Sequence, residues 1–169
     1  MGQPEFWMRG IQVDGVSAAL QPVAHALLQA LEDVESAAAG LSEEALWTRP
    51  GGAASVGFHL RHLAGSLDRL TTYARGAALT DTQLAALRAE QEPGAAAGEL
   101  LAGARAAVER ALDQLRNTPD AVLDEPREVG RARLPSSVRG LLYHAGEHTA
   151  RHAGQAVTTA KIVRAVGAG

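Results

Sequence analysis

Three of the six histidines, His144, His148 and His152, stand at intervals of four in the stretch LLYHAGEHTARHAGQ, residues 141–155. A second pair, His59 and His62, lies in SVGFHLRHLAGSL, residues 55–67. Two imidazoles four residues apart on a helix stack on one side, and their ring nitrogens come within reach of a single ion. The chain has no cysteine, so disulfides and thiolate metal sites are excluded, and any metal must be held by His, Asp or Glu. The competing reading is a polar network in a helical core, each ring satisfied by a carbonyl or a hydroxyl. An unpartnered buried imidazole costs about 1–3 kcal/mol, so inward histidines need one arrangement or the other. The pair alone leaves both open.

Such chemistry depends on helices that aim the rings. A helix starting after Pro135, with Ser136 or Ser137 as cap, is expected to reach about Val166. With Ala145 as zero on an ideal wheel, Val138, Leu141, Leu142, Thr149, Ala156 and Val163 fall within about 60°. His152 lies about 20° from that centre, His148 about 60°, Gln155 about 80° and His144 about 100°. His148 and His152 are therefore expected to face inward, with His144 peripheral. A helix over residues 55–75 carries the stripe Val56, Leu60, Leu63, Leu67 and Leu70. With Leu63 as zero, His59 lies about 40° off and His62 about 100° off, on the same side. Periodicity alone selects His59 as the inward residue.

Two further amphipathic helices complete the frame. One spans about residues 17–39, with Ser17 as cap, Gly40 after its end and Leu20, Val23, Ala24, Leu27, Leu31, Val34 and Ala38 on one face. The other spans about 95–117, with Leu101, Ala104, Val108, Ala111, Leu112 and Leu115. A link of some twenty residues after Gly76 carries a short helix at 82–90, and a polar loop of about sixteen residues precedes the last helix. No strand pattern is evident. The expectation is an all-α four-helix bundle, a single domain over residues 1–169 in which 1–15 form an extended arm that Phe6, Trp7 and Met8 can pin. His25, on the outer side of the first helix, reads as a solvated surface histidine.

Composition agrees. Hydrophobic residues make up 46% of the 169 but aromatics only 4%, so alanine and leucine carry the apolar content and favour helix. The net charge of −3 argues against nucleic acid or an anionic membrane as partner. No apolar run approaches a membrane span and no signal-peptide pattern is evident, so a cytoplasmic protein is expected.

With these residues in view, the chain resembles the DinB/YfiT-like superfamily of small helical metalloproteins. SVGFHLRHL is similar to the family's pattern of a capping Ser or Thr followed seven positions later by a ligand histidine; from Ser55 that gives His62. HTARHAGQ is similar to the family's His-x-x-x-His-x-Gly-Gln ending, matched at His148, His152, Gly154 and Gln155. ALWTRPGG, before the second helix, also looks like the family's approach to that helix.

The resemblance implies up-down-down-up connectivity, with a long crossover between the second and third helices. It also implies one divalent metal held by His62, His148 and His152. It thus prefers His62 where periodicity prefers His59, which becomes a candidate alternative ligand or supporting residue. Ser66, His144 and Gln155 are candidates to line the pocket or orient a ligand. Three neutral imidazoles leave an ion its full charge and an open position, as in catalytic sites. Zinc and nickel both suit them. A water or a thiol held there ionises readily. Glu147 and Asp68 point away from the ligands, so no carboxylate base is expected beside them. A metal-bound thiol needs no such base, and some members of the superfamily use low-molecular-weight thiols for transfer or isomerisation, so the resemblance implies a thiol-dependent transferase or isomerase acting on a small-molecule substrate, with a metal-dependent hydrolase kept open. The alternative is a non-catalytic, stress-associated metal- or ligand-binding module. A homodimer is compatible with the apolar helix faces.

Overall fold

The computed structural model describes residues 3–167; residues 1–2 of the expected arm, and 168–169, lie outside them. Helix α1 (Gln21–Ala38) buries Val23, Ala24, Leu27, Val34 and Ala38. It begins later than its sequence suggests. The Ser17 carbonyl accepts from the amides of Leu20 and Gln21, both at 3.0 Å, closing a separate turn. Pro22 then sits in the first helical turn, where a missing N–H costs nothing. The short helix α2 (Glu43–Trp47) is capped by Ser42, whose Oγ accepts from Ala45 N at 3.2 Å. Helix α3 (Val56–Ala74) is capped likewise by Ser55, which accepts from Phe58 N at 3.1 Å. Gly76, at φ +75°, turns the chain out of α3 into the long link.

Within that link stands α4 (Asp81–Arg88), opened by a reciprocal capping box between Thr80 and Gln83. Helix α5 (Ala97–Arg116) follows. The stretch expected as a polar loop instead contains a hairpin of β1 (Pro126–Val129) and β2 (Leu134–Ser137), antiparallel with Pro126 opposite Ser137 and Val129 opposite Leu134. The all-α expectation missed it for physical reasons. Each strand has four residues and a proline, neither alternates apolar with polar, and the turn bends through Gly130 and the non-glycine Arg133, at φ +68° and +50°. Ser137 then caps α6 (Val138–Gly167), accepting from Gly140 N at 3.0 Å.

The four long helices form a bundle in which α6 lies against α1 and α3, and α5 against the same two. Tyr143 Oη donates to the Ala19 carbonyl and Arg164 to those of Ala37 and Ala39, all at 2.8 Å. Gln114 Nε2 donates to Thr71 O at 3.0 Å, and Arg105 meets Glu35 at 2.6 Å. The core has two halves. One gathers around Leu20, Leu27, Leu67, Leu115 and Leu142; the other around Val34, Leu46, Leu60, Leu63 and Ala156. Fully burying each leucine contributes about 1.5–3 kcal/mol. Leu60, Leu63 and Leu67 together therefore lock the rotation of α3, and that rotation decides where its histidines go.

The N-terminal arm is tied down through a 3₁₀ turn, Phe6–Arg9. Arg9 grips Glu32 with two bonds of 2.7 and 2.6 Å, and Phe6 N donates to Gln29 Oε1 at 2.7 Å. Of the three residues expected to pin the arm, Phe6 packs on the core, while Trp7 and Met8 stay exposed. His25 is not merely solvated: its Nε2 donates to Ile11 O at 2.9 Å, and its ring meets Phe6. Among the described residues no helix is long and apolar enough to cross a membrane.

Candidate metal centre

Where α3 lies against α6, two histidine pairs come level. His59 Nδ1 stands 3.0 Å from His152 Nδ1, and His62 Nε2 stands 3.0 Å from His148 Nε2. The rings of His62 and His152 are 4.4 Å apart by centroid, those of His148 and His152 4.6 Å. One ring nitrogen from each of His62, His148 and His152 lies within 4.8 Å of the other two. These three are half-buried, whereas His59 is buried. Periodicity and resemblance thus answered different questions: His59 is the more inward ring of α3, and His62 is the one that joins the cluster. Phe58 stacks on His62 at 5.3 Å and 14° and walls that side.

The remaining candidates lie around this cluster. His144 is exposed at the rim, its Nδ1 3.3 Å from Glu147 Oε2 and its ring 5.3 Å from that of His148. Ser66 is buried, but its hydroxyl donates back to Leu63 O at 3.2 Å. Gln155 is exposed beside a shallow hollow of about 460 Å³ that His59, Arg151 and Thr158 also line, and no hydrogen bond joins it to an imidazole among the described residues. Glu147 is taken up by Arg151, and Asp68 accepts from Gln83 at 2.7 Å.

The sequence did not point to Glu90. It follows α4, is 4% exposed, and places Oε2 2.6 Å from His62 Nδ1 and Oε1 2.6 Å from Arg69 Nη1. A carboxylate therefore does stand beside a candidate ligand, contrary to expectation, although both its oxygens are engaged. Arg69 and Gly65 share the flank of α3 with His62, but in the sequence Arg69 lies off the apolar stripe, and only its burial in the structure calls for a carboxylate. Gly65 is where that carboxylate comes closest: a Cβ there would lie 2.6 Å from Glu90 Oε1 and 2.9 Å from Arg69 Nη1.

Charge and proton placement follow. Burial alone would raise the Glu90 carboxyl, but hydrogen bonds from His62 and Arg69, with their charges, hold it below its usual value. An ionised carboxylate only accepts, so His62 carries its proton on Nδ1 and offers a lone pair at Nε2. Burial, reinforced by the neighbouring His62, pushes His59, His148 and His152 down to about 4. Near neutral pH these rings are uncharged, the form that binds metal.

These observations bear on whether the cluster fits an ion. A polar network would satisfy every ring, yet His148 Nδ1 is buried without a partner. If His148 carries its proton on Nδ1, two lone pairs face each other across 3.0 Å, an arrangement that a cation between them relieves. Tetrahedral ligation at about 2.0–2.1 Å would set such nitrogens about 3.3 Å apart, near the 3.0 Å between His62 Nε2 and His148 Nε2, with the His152 nitrogen within 4.8 Å of both. The donor set fits a divalent ion.

Comparison with known proteins adds the following. The family model described as the DinB superfamily matches residues 26–156, a span that includes His62, His148 and His152. No curated protein matches the chain in sequence. Among solved structures, YfiT from Bacillus subtilis, described as "a probable metal-dependent hydrolase with an unusual four-helix bundle topology", is similar with a TM-score of 0.66 at 15% identity, over 96% of this chain and 97% of that one. At that identity the likeness is one of fold.

Proposed function

The chain belongs to the DinB superfamily, and we propose that it is a metal-dependent enzyme holding one divalent ion, zinc or nickel, between His62, His148 and His152. The observation that carries this reading is the convergence of three imidazoles, one ring nitrogen each within 4.8 Å of the others. A bound ion of this kind supplies Lewis-acid chemistry, lowering the pKa of a thiol or water beside it. The chain's own residues do the rest. Glu90 holds the His62 proton at Nδ1 and leaves Nε2, 3.0 Å from His148 Nε2, to face the centre, while His59 pairs with His152 Nδ1 and leaves the other nitrogen of that ring free to ligate. Phe58 shields one side from water.

We take the reaction to be a thiol-dependent transfer or isomerisation on a small molecule. In support, among the described residues no carboxylate near the cluster is free to act as a base: Glu90 is engaged at both oxygens and Glu147 is held by Arg151. We also read the connectivity as up-down-down-up. Its support is the contacts of Tyr143 with Ala19 and of Arg164 with Ala37, which run in the same sense along α1 and α6.

Elemental analysis of the purified chain tests the metal, with one ion per chain expected and none in His148→Ala. Calorimetry with bacterial low-molecular-weight thiols then tests the chemistry, with binding expected only to metal-loaded protein. Absence of metal, with no thermal shift on adding zinc or nickel, refutes the reading in favour of a polar network. Metal without thiol binding or turnover refutes the enzyme in favour of a binding module.

A further inference from the structure

Glu90 reaches the site from the link and not from the bundle, and the link is fastened on both sides of it. Arg61, on α3, donates to the carbonyl of Ala89 at 2.8 Å and to that of Glu92, while its guanidinium lies 4.9 Å from the Trp47 ring centre. Between these two anchors the Glu90 side chain turns inward onto His62 and Arg69. Arg69 is 8% exposed. His62, Gly65 and Arg69 lie on one row of α3, and the missing side chain at Gly65 leaves the space the carboxylate occupies. A buried ion pair of this kind is a poor way to add stability, since an apolar pair of similar volume commonly serves as well or better. Its geometry has a different consequence: one carboxylate oxygen sits on the non-ligating nitrogen of a candidate ligand.

We propose that Glu90 and Arg69 form a positioning pair for the metal site, an inference that rests on the reading of His62 as a ligand. Glu90 fixes the His62 proton on Nδ1 and so presents the Nε2 lone pair, and its negative charge makes the ring a stronger donor. Arg69 occupies the second oxygen. It thereby holds Glu90 in place on His62 and keeps it from turning in to ligate the ion itself, so that the ligands are imidazoles alone.

The experiment measures zinc affinity by competition with a chromophoric chelator, alongside melting of the metal-free chain. The double variant Glu90→Leu/Arg69→Met removes both charges and leaves neither orphaned. It is expected to fold and to bind zinc about 10–100-fold more weakly. Glu90→Gln keeps an acceptor oxygen on His62 Nδ1 and is expected to lose less than about tenfold. A purely structural pair would instead change the melting temperature and leave zinc affinity within twofold of the parent chain, and that result overturns the proposal. So does a Glu90→Gln chain as weak as the double variant. Arg69→Met alone, loaded with cobalt, is expected to show an altered visible spectrum as the freed carboxylate joins the ion; an unchanged spectrum overturns Arg69's role. A parent chain that binds no zinc, or a His148→Ala chain that binds as well as the parent, refutes the metal reading itself and takes this proposal with it.

Discussion

Gly65→Ala is the most direct test of how closely the link approaches α3. In an exposed helix interior, replacing glycine by alanine stabilises by about 0.5–1 kcal/mol. At Gly65 the sign should reverse. The new Cβ would lie 2.6 Å from Glu90 Oε1 and 2.9 Å from Arg69 Nη1. Restoring an ordinary contact of about 3.4 Å requires the carboxylate to retreat by about 0.8 Å. Its 2.6 Å bonds to His62 and Arg69 would then stretch to about 3.4 Å, beyond good hydrogen-bond length. Each charge-assisted bond is worth about 1.5–3 kcal/mol when intact. Partial loss of two, less the helical gain, leaves a net destabilisation of about 1–3 kcal/mol. For a chain of this size that lowers the melting temperature by about 3–10 °C. Gly103→Ala is the internal control, since Gly103 is exposed on α5 and a methyl group there would meet nothing within 4 Å. Thermal and urea unfolding of both variants, with metal removed by a chelator, reads the difference. If Gly65→Ala is as stabilising as Gly103→Ala, the close packing of Glu90 against α3 is wrong.

Acid should weaken the metal-free fold well above the range of ordinary carboxylates. His59, His148 and His152 titrate at about 4 when folded, against an ordinary 6.5. Between those values the unfolded chain binds more protons, so stability is full above about pH 6.5 and declines as the pH falls toward 4. Glu90, held below its usual value, acts in the same direction at lower pH, its contribution disappearing as the pH falls through its folded pKa. Urea midpoints that stay level from pH 7.5 to 5 would contradict this. Separately, His59→Ala should still bind one ion, about 10–100-fold more weakly, because it removes a partner of His152 and not a ligand. His62→Ala should lose the ion altogether, and calorimetry showing the opposite order would exchange their roles.

The sequence made the bundle legible because four long segments repeat apolar residues at helical spacing, and the caps at Ser42, Ser55 and Ser137 stand where the pattern starts. It placed the α6 face well: Val138, Leu141, Leu142, Ala145, Thr149, Ala156 and Val163 are all buried. Its limits have a common cause. A helical wheel reports the direction of a side chain from its own axis and says nothing of what arrives from elsewhere. It identified His59 as inward, and His59 is indeed buried. It had no means of seeing that α6 would set His148 opposite His62, nor that the link would bring in Glu90. The Ser17 turn and the β1–β2 hairpin were hidden for a related reason. Both are short, held by backbone bonds, and set by a few dihedral angles instead of by a repeated pattern.

The clasp of Arg61 on Ala89 and Glu92 also divides the link by its tolerance of length. From Ala89 to Glu92 the spacing is fixed, since both carbonyls must meet one guanidinium while Glu90 reaches inward. Beyond it, Pro93 and Gly94 are exposed, and a side chain at Gly94 would meet nothing within 4 Å. Extra residues introduced at Gly94 would extend into solvent, whereas a single residue added between Ala89 and Glu92 would throw the carboxylate out of register with His62. A place where a tag or a second domain can be spliced in thus lies a few residues from one where no insertion can be accommodated.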